Sequence, residues 1–120
     1  ICVNYRFVQN LGMTRLPRYF AALSDDTRFA IVERLLERGP LSAGDLADVA
    51  DITAPAISRH LKVLREAGVI AQQVQGTRRI YRVEPDAMRA ISAWTMDHRA
   101  FWEASLDRLA RAFGRIGKDR

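Results

Sequence analysis

The sequence predicts a mainly α-helical single domain carrying one small β-hairpin, on three observations. At 120 residues the chain is long enough for one hydrophobic core and too short for two. Apolar residues at helical spacing, in segments bounded by Ser, Thr, Gly or Pro, occupy most of its length. Two short β-rich runs, VIAQQV and RRIYRV, are joined through Gln75-Gly76-Thr77, where glycine supplies the positive φ of a tight hairpin turn.

Composition removes several classes. Hydrophobic residues make up 48% and charged residues 28%, which suits a packed core under a polar surface. No apolar run approaches the roughly 18 residues of a membrane helix, so no membrane partner is expected. The lone cysteine, Cys2, excludes an internal disulfide framework and a thiolate metal cage within one chain. No basic segment followed by an apolar block and a cleavage site opens the chain, and the expected location is cytoplasmic. The first dozen residues, ICVNYRFVQNLG, have no clean period, whereas Met13 opens MTRLPRYFAALSDDTRF like a natural start. Residues 1–12 are therefore expected to be a non-native extension and residues 13–120 the folded domain.

The elements follow in order. A helical pattern begins at Leu16. Ser24 is placed to cap a second helix, with Asp25 and Asp26 at the positive end of its dipole. Phe29, Ile31, Val32, Leu35 and Leu36 form its apolar set, with Phe29, Val32 and Leu36 near a 3.6 period, and Gly39-Pro40 ends it. A short helix capped by Ser42 and carrying Leu46, Ala47 and Val49 comes next; it needs a neighbour to be stable. Thr53 caps a third helix running to about Ala67, with Pro55 tolerated in its first turn. Ile57, Leu61 and Leu64 make its inner face, while Pro55, Ser58, Arg59 and Lys62 face solvent. Gly68 stops it. After the hairpin, one long helix is expected from near Pro85 to about Phe113.

The positive charge is concentrated. Between Thr53 and Arg82 lie six basic residues (Arg59, Lys62, Arg65, Arg78, Arg79, Arg82) against Glu66 alone, which is the whole net charge of +5. A solvated basic face would read the same way, so charge alone does not decide. Its placement does: two short helices joined by a turn, the second basic on its outer face, form a helix-turn-helix, and the basic hairpin behind it forms a wing. A reading helix needs small side chains near base edges. Ala54, Pro55, Ala56 and Ser58 permit close approach, Arg59 reaches a guanine edge, and Lys62 reaches a phosphate. Thr77, Arg78 and Arg79 at the hairpin tip reach the backbone or the neighbouring minor groove. Thr53 and Ser42 are helix caps first and phosphate donors second. His60 is read as a packing or phosphate residue.

The run ALSDDTRFAIVERLLERGPLSAGDLADVADITAPAISRHLKVLREAGVI, followed by QGTRRIYRV, resembles the ArsR/SmtB family of winged helix-turn-helix repressors. The resemblance spans roughly Leu16 to Phe113, and SRHLKVLREAG is its more specific part. It implies a homodimer that binds double-stranded operator DNA and represses its own operon, with Pro55, Ser58 and Arg59 in the groove. Metal-sensing relatives carry a cysteine pair before the recognition helix, where this chain reads LSAGDLADVA. Others use an Asp-x-His and His-x-x-Glu set on the last helix; here Asp97 and His98 are adjacent, and the second pair would fall on residues such as Leu109, Ala110, Ala112 and Phe113. Neither a metal nor any cofactor is expected.

The C-terminal segment bears on assembly. Ile91, Trp94, His98, Phe101, Trp102, Leu106, Leu109 and Phe113 form a broad apolar stripe. Pairing with Leu16, Tyr19 and Phe20 and with a second subunit would cover it. A hydrophobic small-molecule effector between these aromatics is the weaker reading beside plain packing.

Two other classes compete. A winged-helix protein-interaction module needs no basic outer face on its second helix, and sequence-indifferent DNA packaging needs no small residues facing base edges. An enzyme is not expected, because no nucleophile–base pair, phosphate loop or paired carboxylate stands in a motif.

Overall fold

The structure, a computed structural model, describes residues 15–118, with side chains through residue 114. The readings of residues 1–12, of Cys2 and of Met13 lie outside the described residues. Helices α1 (Leu16–Leu23) and α2 (Asp26–Arg38) are followed by the two-residue strand β1 (Leu41–Ser42). Helix α3 (Ala54–Ala67) leads into the hairpin β2 (Ile70–Gln75) and β3 (Arg78–Val83). Helices α4 (Pro85–Asp97) and α5 (Arg99–Lys118) complete the chain. The sheet is antiparallel in the order β1-β3-β2, so β3 lies between the other two strands.

Local chemistry explains the boundaries. Thr53 caps α3 by accepting a hydrogen bond from the Ala56 N–H at 3.3 Å. Gly68 ends α3 in the left-handed region at φ 85°, and the Val69 N–H returns to the Leu64 carbonyl at 3.0 Å. Gln75 pairs with Arg78, which leaves Gly76 and Thr77 as a two-residue turn. Gly76 has φ 63° and no non-glycine residue among those described has positive φ, so glycine alone carries the reversal.

One core joins helices α1 to α4, the turn segment and the hairpin. Leu16, Tyr19 and Ala22 of α1 meet Ile31, Val32 and Leu35 of α2 and Ile57, Leu61 and Leu64 of α3, with Leu46, Val69, Ile70, Tyr81, Ala87 and Ala90 closing the cluster. Leu61 is fully buried at 1% exposure. Leu61→Ala is therefore expected to cost about 2–5 kcal/mol of stability, read as a shift in the urea midpoint at unchanged slope. A midpoint equal to the parent's would contradict this packing.

Four sequence expectations change in detail. Asp25, not Ser24, caps α2: its carboxylate accepts from the Arg28 N–H at 3.0 Å, while the Ser24 hydroxyl donates back to the Ala21 carbonyl at 2.7 Å. The buried face of α2 is Ile31, Val32 and Leu35, whereas Phe29 and Leu36 are exposed, because α2 turns its core side toward α1 and α3. The segment from Ser42 to Val49 is a succession of turns rather than a regular helix. Its hydrogen bonds span three residues as well as four, among them Ala47 N–H to Gly44 at 3.2 Å and Val49 N–H to Leu46 at 3.1 Å. Leu46 is nonetheless fully buried.

The fourth change is at the C-terminus. The expected single helix is interrupted at His98, which ends α4, and α5 begins at Arg99. The His98 ring is bonded to the Trp94 carbonyl at 2.8 Å, satisfying a helix-end acceptor in the last turn. Beyond that break α5 projects from the body. The radius of gyration is 18.7 Å, against about 14 Å for a compact chain of this length.

Candidate nucleic-acid interface

Helix α3 is held by its apolar side and presents the other. Ile57, Leu61 and Leu64 are buried; Thr53, Ala54, Pro55, Ser58, Arg59 and Lys62 are all exposed. The predicted reading residues thus share one accessible surface, small at the N-terminal end and cationic further along. His60 lies elsewhere on the helix. It is half-buried against the start of α2, with the Arg28 Nη1 3.4 Å and the Asp25 Oδ2 3.8 Å from its Nδ1. That is a packing position, and it ties α3 to the capped N-terminus of α2. The same cap keeps the Asp25 carboxyl below its usual range, chiefly through the Arg28 N–H.

The wing is brought beside α3. An open groove is lined by Ser58 of α3, by Thr77, Arg78, Arg79 and Tyr81 of the hairpin, and by Ser42, Ala43 and Gly44 of the turn segment. Residues far apart in sequence therefore line one trough. Outside the trough the Arg65 guanidinium donates to the Gln72 amide oxygen, joining the end of α3 to β2.

The six basic residues of this region are not equivalent. Lys62 stands 4.0 Å from Glu66, Arg82 stands 4.0 Å from Glu84, and Arg65 bonds Gln72. Arg78 donates to the Ser42 hydroxyl at 3.2 Å and lies 3.7 Å from the Asp45 carboxylate. Among the described residues Arg59 and Arg79 alone of the six have no ion pair or side-chain hydrogen bond. One projects from the reading helix and the other from the wing. Both keep all their donors for an external acceptor.

Sequence reasoning missed the cluster of Ser42, Asp45 and Arg78. The Ser42 N–H donates to the Asp45 carboxylate at 3.0 Å and the Asp45 N–H donates to the Ser42 hydroxyl at 3.2 Å, a reciprocal capping box. These bonds, with the Arg78 charge as a lesser cause, hold the Asp45 carboxyl below its usual range. The Ser-x-x-Asp spacing was a readable signal for the box; the arrival of Arg78 from 36 residues away was not.

The residues expected at a subunit interface divide in three. Leu16 and Tyr19 are buried in the subunit's own core. Phe20, Phe101, Trp102, Leu106, Leu109 and Phe113 are exposed, and Ile91 and Trp94 are half-buried against the core. Trp94 packs edge-on against Phe20 with centroids 5.6 Å apart and lies 4.8 Å from the His98 ring. Among the described residues no three His, Cys, Asp or Glu side chains are grouped to hold a metal ion, and no helix is long and apolar enough to cross a membrane.

Known proteins share this arrangement. The profile of a helix-turn-helix domain family matches residues 23–73, the stretch from the end of α1 into β2. A helix-turn-helix-type transcriptional regulator of Mycobacterium tuberculosis is 40% identical over 102 residues, covering 85% of this chain and 92% of that protein. A transcriptional repressor of Bacillus subtilis is 35% identical over 78 residues, covering 65% of this chain and 86% of its own length. The crystal structure of an ArsR-family transcriptional regulator superposes with a TM-score of 0.64 at 33% identity, over 75% of this chain and 92% of the other. The chain belongs to the ArsR/SmtB family of winged helix-turn-helix, DNA-binding transcriptional regulators.

Proposed function

We propose that the chain acts as a homodimeric repressor that reads a palindromic operator, α3 entering the major groove and the wing gripping the flanking backbone. The observation that carries this reading is the pair of unengaged guanidinium groups, Arg79 lining the trough and Arg59 next in the chain to Ser58, the residue of α3 that lines it. Arg59 makes the specifying contact, with Ala54, Pro55 and Ser58 allowing the approach. Thr53, Lys62, Thr77 and Arg79 meet phosphates. Arg78 shares their surface, though its guanidinium is already engaged.

The second copy follows from α5. Trp102, Leu106, Leu109 and Phe113 recur at spacings of four, three and four, a seam at the 3.5-residue period of paired helices. All four are at least half exposed, at 50–68%, which is a larger apolar patch than water favours on a lone subunit. Two subunits joined there would set their reading helices about 34–36 Å apart, one turn of B-DNA. For Phe20, Trp94 and His98 the packing role is kept and no effector is assigned. A repressor of this kind works where the DNA is, in the cytoplasm, without catalysis, metal or cofactor.

Transcription in vitro from the chain's own promoter tests the sign of regulation. Output is expected to fall as protein is added; unchanged or increased output would contradict repression. Arg79→Ala is expected to weaken binding to all duplexes alike and to reduce the slope of log K against log salt by about one unit per subunit, about two units for the dimer. A slope equal to the parent's would remove Arg79 from the interface.

A further inference from the structure

We infer that Arg78 is a positioning residue that fixes the wing against the turn leading into α3, and that Arg79, not Arg78, is the wing's phosphate contact. The inference rests on the DNA-interface reading above. Its basis is the three-residue knot at the base of the trough. The Arg78 guanidinium donates to the Ser42 hydroxyl at 3.2 Å and stands 3.7 Å from the Asp45 carboxylate. Asp45 is itself held by the Ser42 N–H at 3.0 Å. Ser42 is thus the hub: its hydroxyl accepts from both Arg78 and the Asp45 N–H. It is also the one buried polar residue among those described.

A phosphate approaching Arg78 would come up beside the Asp45 carboxylate, and two anions would share one cation. Asp45 is not easily displaced, since backbone and hydroxyl bonds anchor it independently of Arg78. The Arg78 and Asp45 side chains are 64% and 48% exposed, so the ion pair adds little to global stability. Its effect is geometric. Strand β1 holds β3 through only two registered pairs, Leu41 with Tyr81 and Ser42 with Ile80. Arg78 lies two residues further toward the wing tip, beyond the last pair, and ties that overhanging part of β3 back to the turn. Thr77 and Arg79 flank it directly, so the knot sets where the tip points relative to Ser58 and Arg59.

Binding of a labelled mixed-sequence duplex, titrated across salt concentration, separates the two roles. Arg78→Ala is expected to weaken binding about fivefold by misplacing Arg79. The double variant Arg78→Ala/Arg79→Ala should then lose about one unit of salt slope per subunit, no more than Arg79→Ala alone, and bind no more weakly than the weaker single variant. Ser42→Ala changes no charge, yet it should reproduce the Arg78→Ala loss and add nothing on top of it. Independent phosphate contacts predict the opposite: multiplied losses, a slope lower by about two units per subunit in the double variant, and Ser42→Ala binding as well as the parent or better. Either of those results overturns the inference. Both arginines are exposed, so the double variant tests the claim even if Ser42→Ala folds poorly. An unchanged slope in Arg79→Ala would overturn the interface reading and this inference together, whereas a slope lowered in Arg79→Ala with multiplied losses overturns this inference alone.

Discussion

Arg59→Ala is expected to leave the protein bound to DNA while removing most of its preference for the operator over a scrambled duplex. Arg59 is exposed on α3 and has no ion pair or side-chain hydrogen bond among the described residues, so its replacement disturbs no packing. A bidentate arginine–guanine contact is worth about 1–3 kcal/mol of discrimination, which is about five- to hundredfold for each half-site. Non-specific affinity, carried in this proposal by phosphate contacts of Lys62 and Arg79, should fall much less. Competition between operator and scrambled duplex at fixed salt measures the ratio directly. A ratio equal to the parent's would place the reading contact on another residue.

The combined substitution Leu106→Glu and Leu109→Glu is expected to convert the proposed dimer to a monomer. Both side chains are more than half exposed in the subunit, at 60% and 53%, so glutamate is tolerated there by the fold and the helix. In a dimer seam the same carboxylates would be forced together without partners. Light scattering should then give a mass near 13.6 kDa where the parent gives twice that. Operator affinity should drop by about 10²-fold or more, since each reading helix would bind without the other. A variant that stays dimeric would move the interface away from α5.

The recognition helix was legible in the sequence because its signals are local. Thr53 as cap, Gly68 as stop, and Ile57, Leu61 and Leu64 at helical spacing needed no tertiary information. The hairpin was legible for the same reason, since Gly76 selects its own turn. The errors arose where packing or competition between neighbours decides. Ser24 and Asp25 are both good caps, and the second accepts the Arg28 N–H while the first turns back to Ala21. Phe29 and Leu36 fit a helical period as well as Ile31, Val32 and Leu35 do; which face is inward depends on where α1 and α3 lie. The turn segment after Ser42 is short enough that burial of Leu46 is met without a regular helix. The break at His98 carries neither Pro nor Gly, and apolar periodicity runs through it uninterrupted.

The candidate site divides along the same line. That Arg59, Lys62, Arg78 and Arg79 form a basic surface followed from their order in the chain. Which of them are already engaged did not, because Ser42 and Asp45 reach Arg78 only once β1 pairs with β3. Six cations in sequence are thus reduced to two guanidinium groups without a partner, Arg59 and Arg79, and the functional reading rests on those two.

Selection of binding sites from a random duplex library by the purified protein at physiological salt tests the central claim most directly. The account predicts enrichment of a palindrome whose half-sites lie one helical turn apart, about 10–10.5 base pairs centre to centre. Retention of duplex with no enriched sequence, or failure to retain duplex at all, would contradict it.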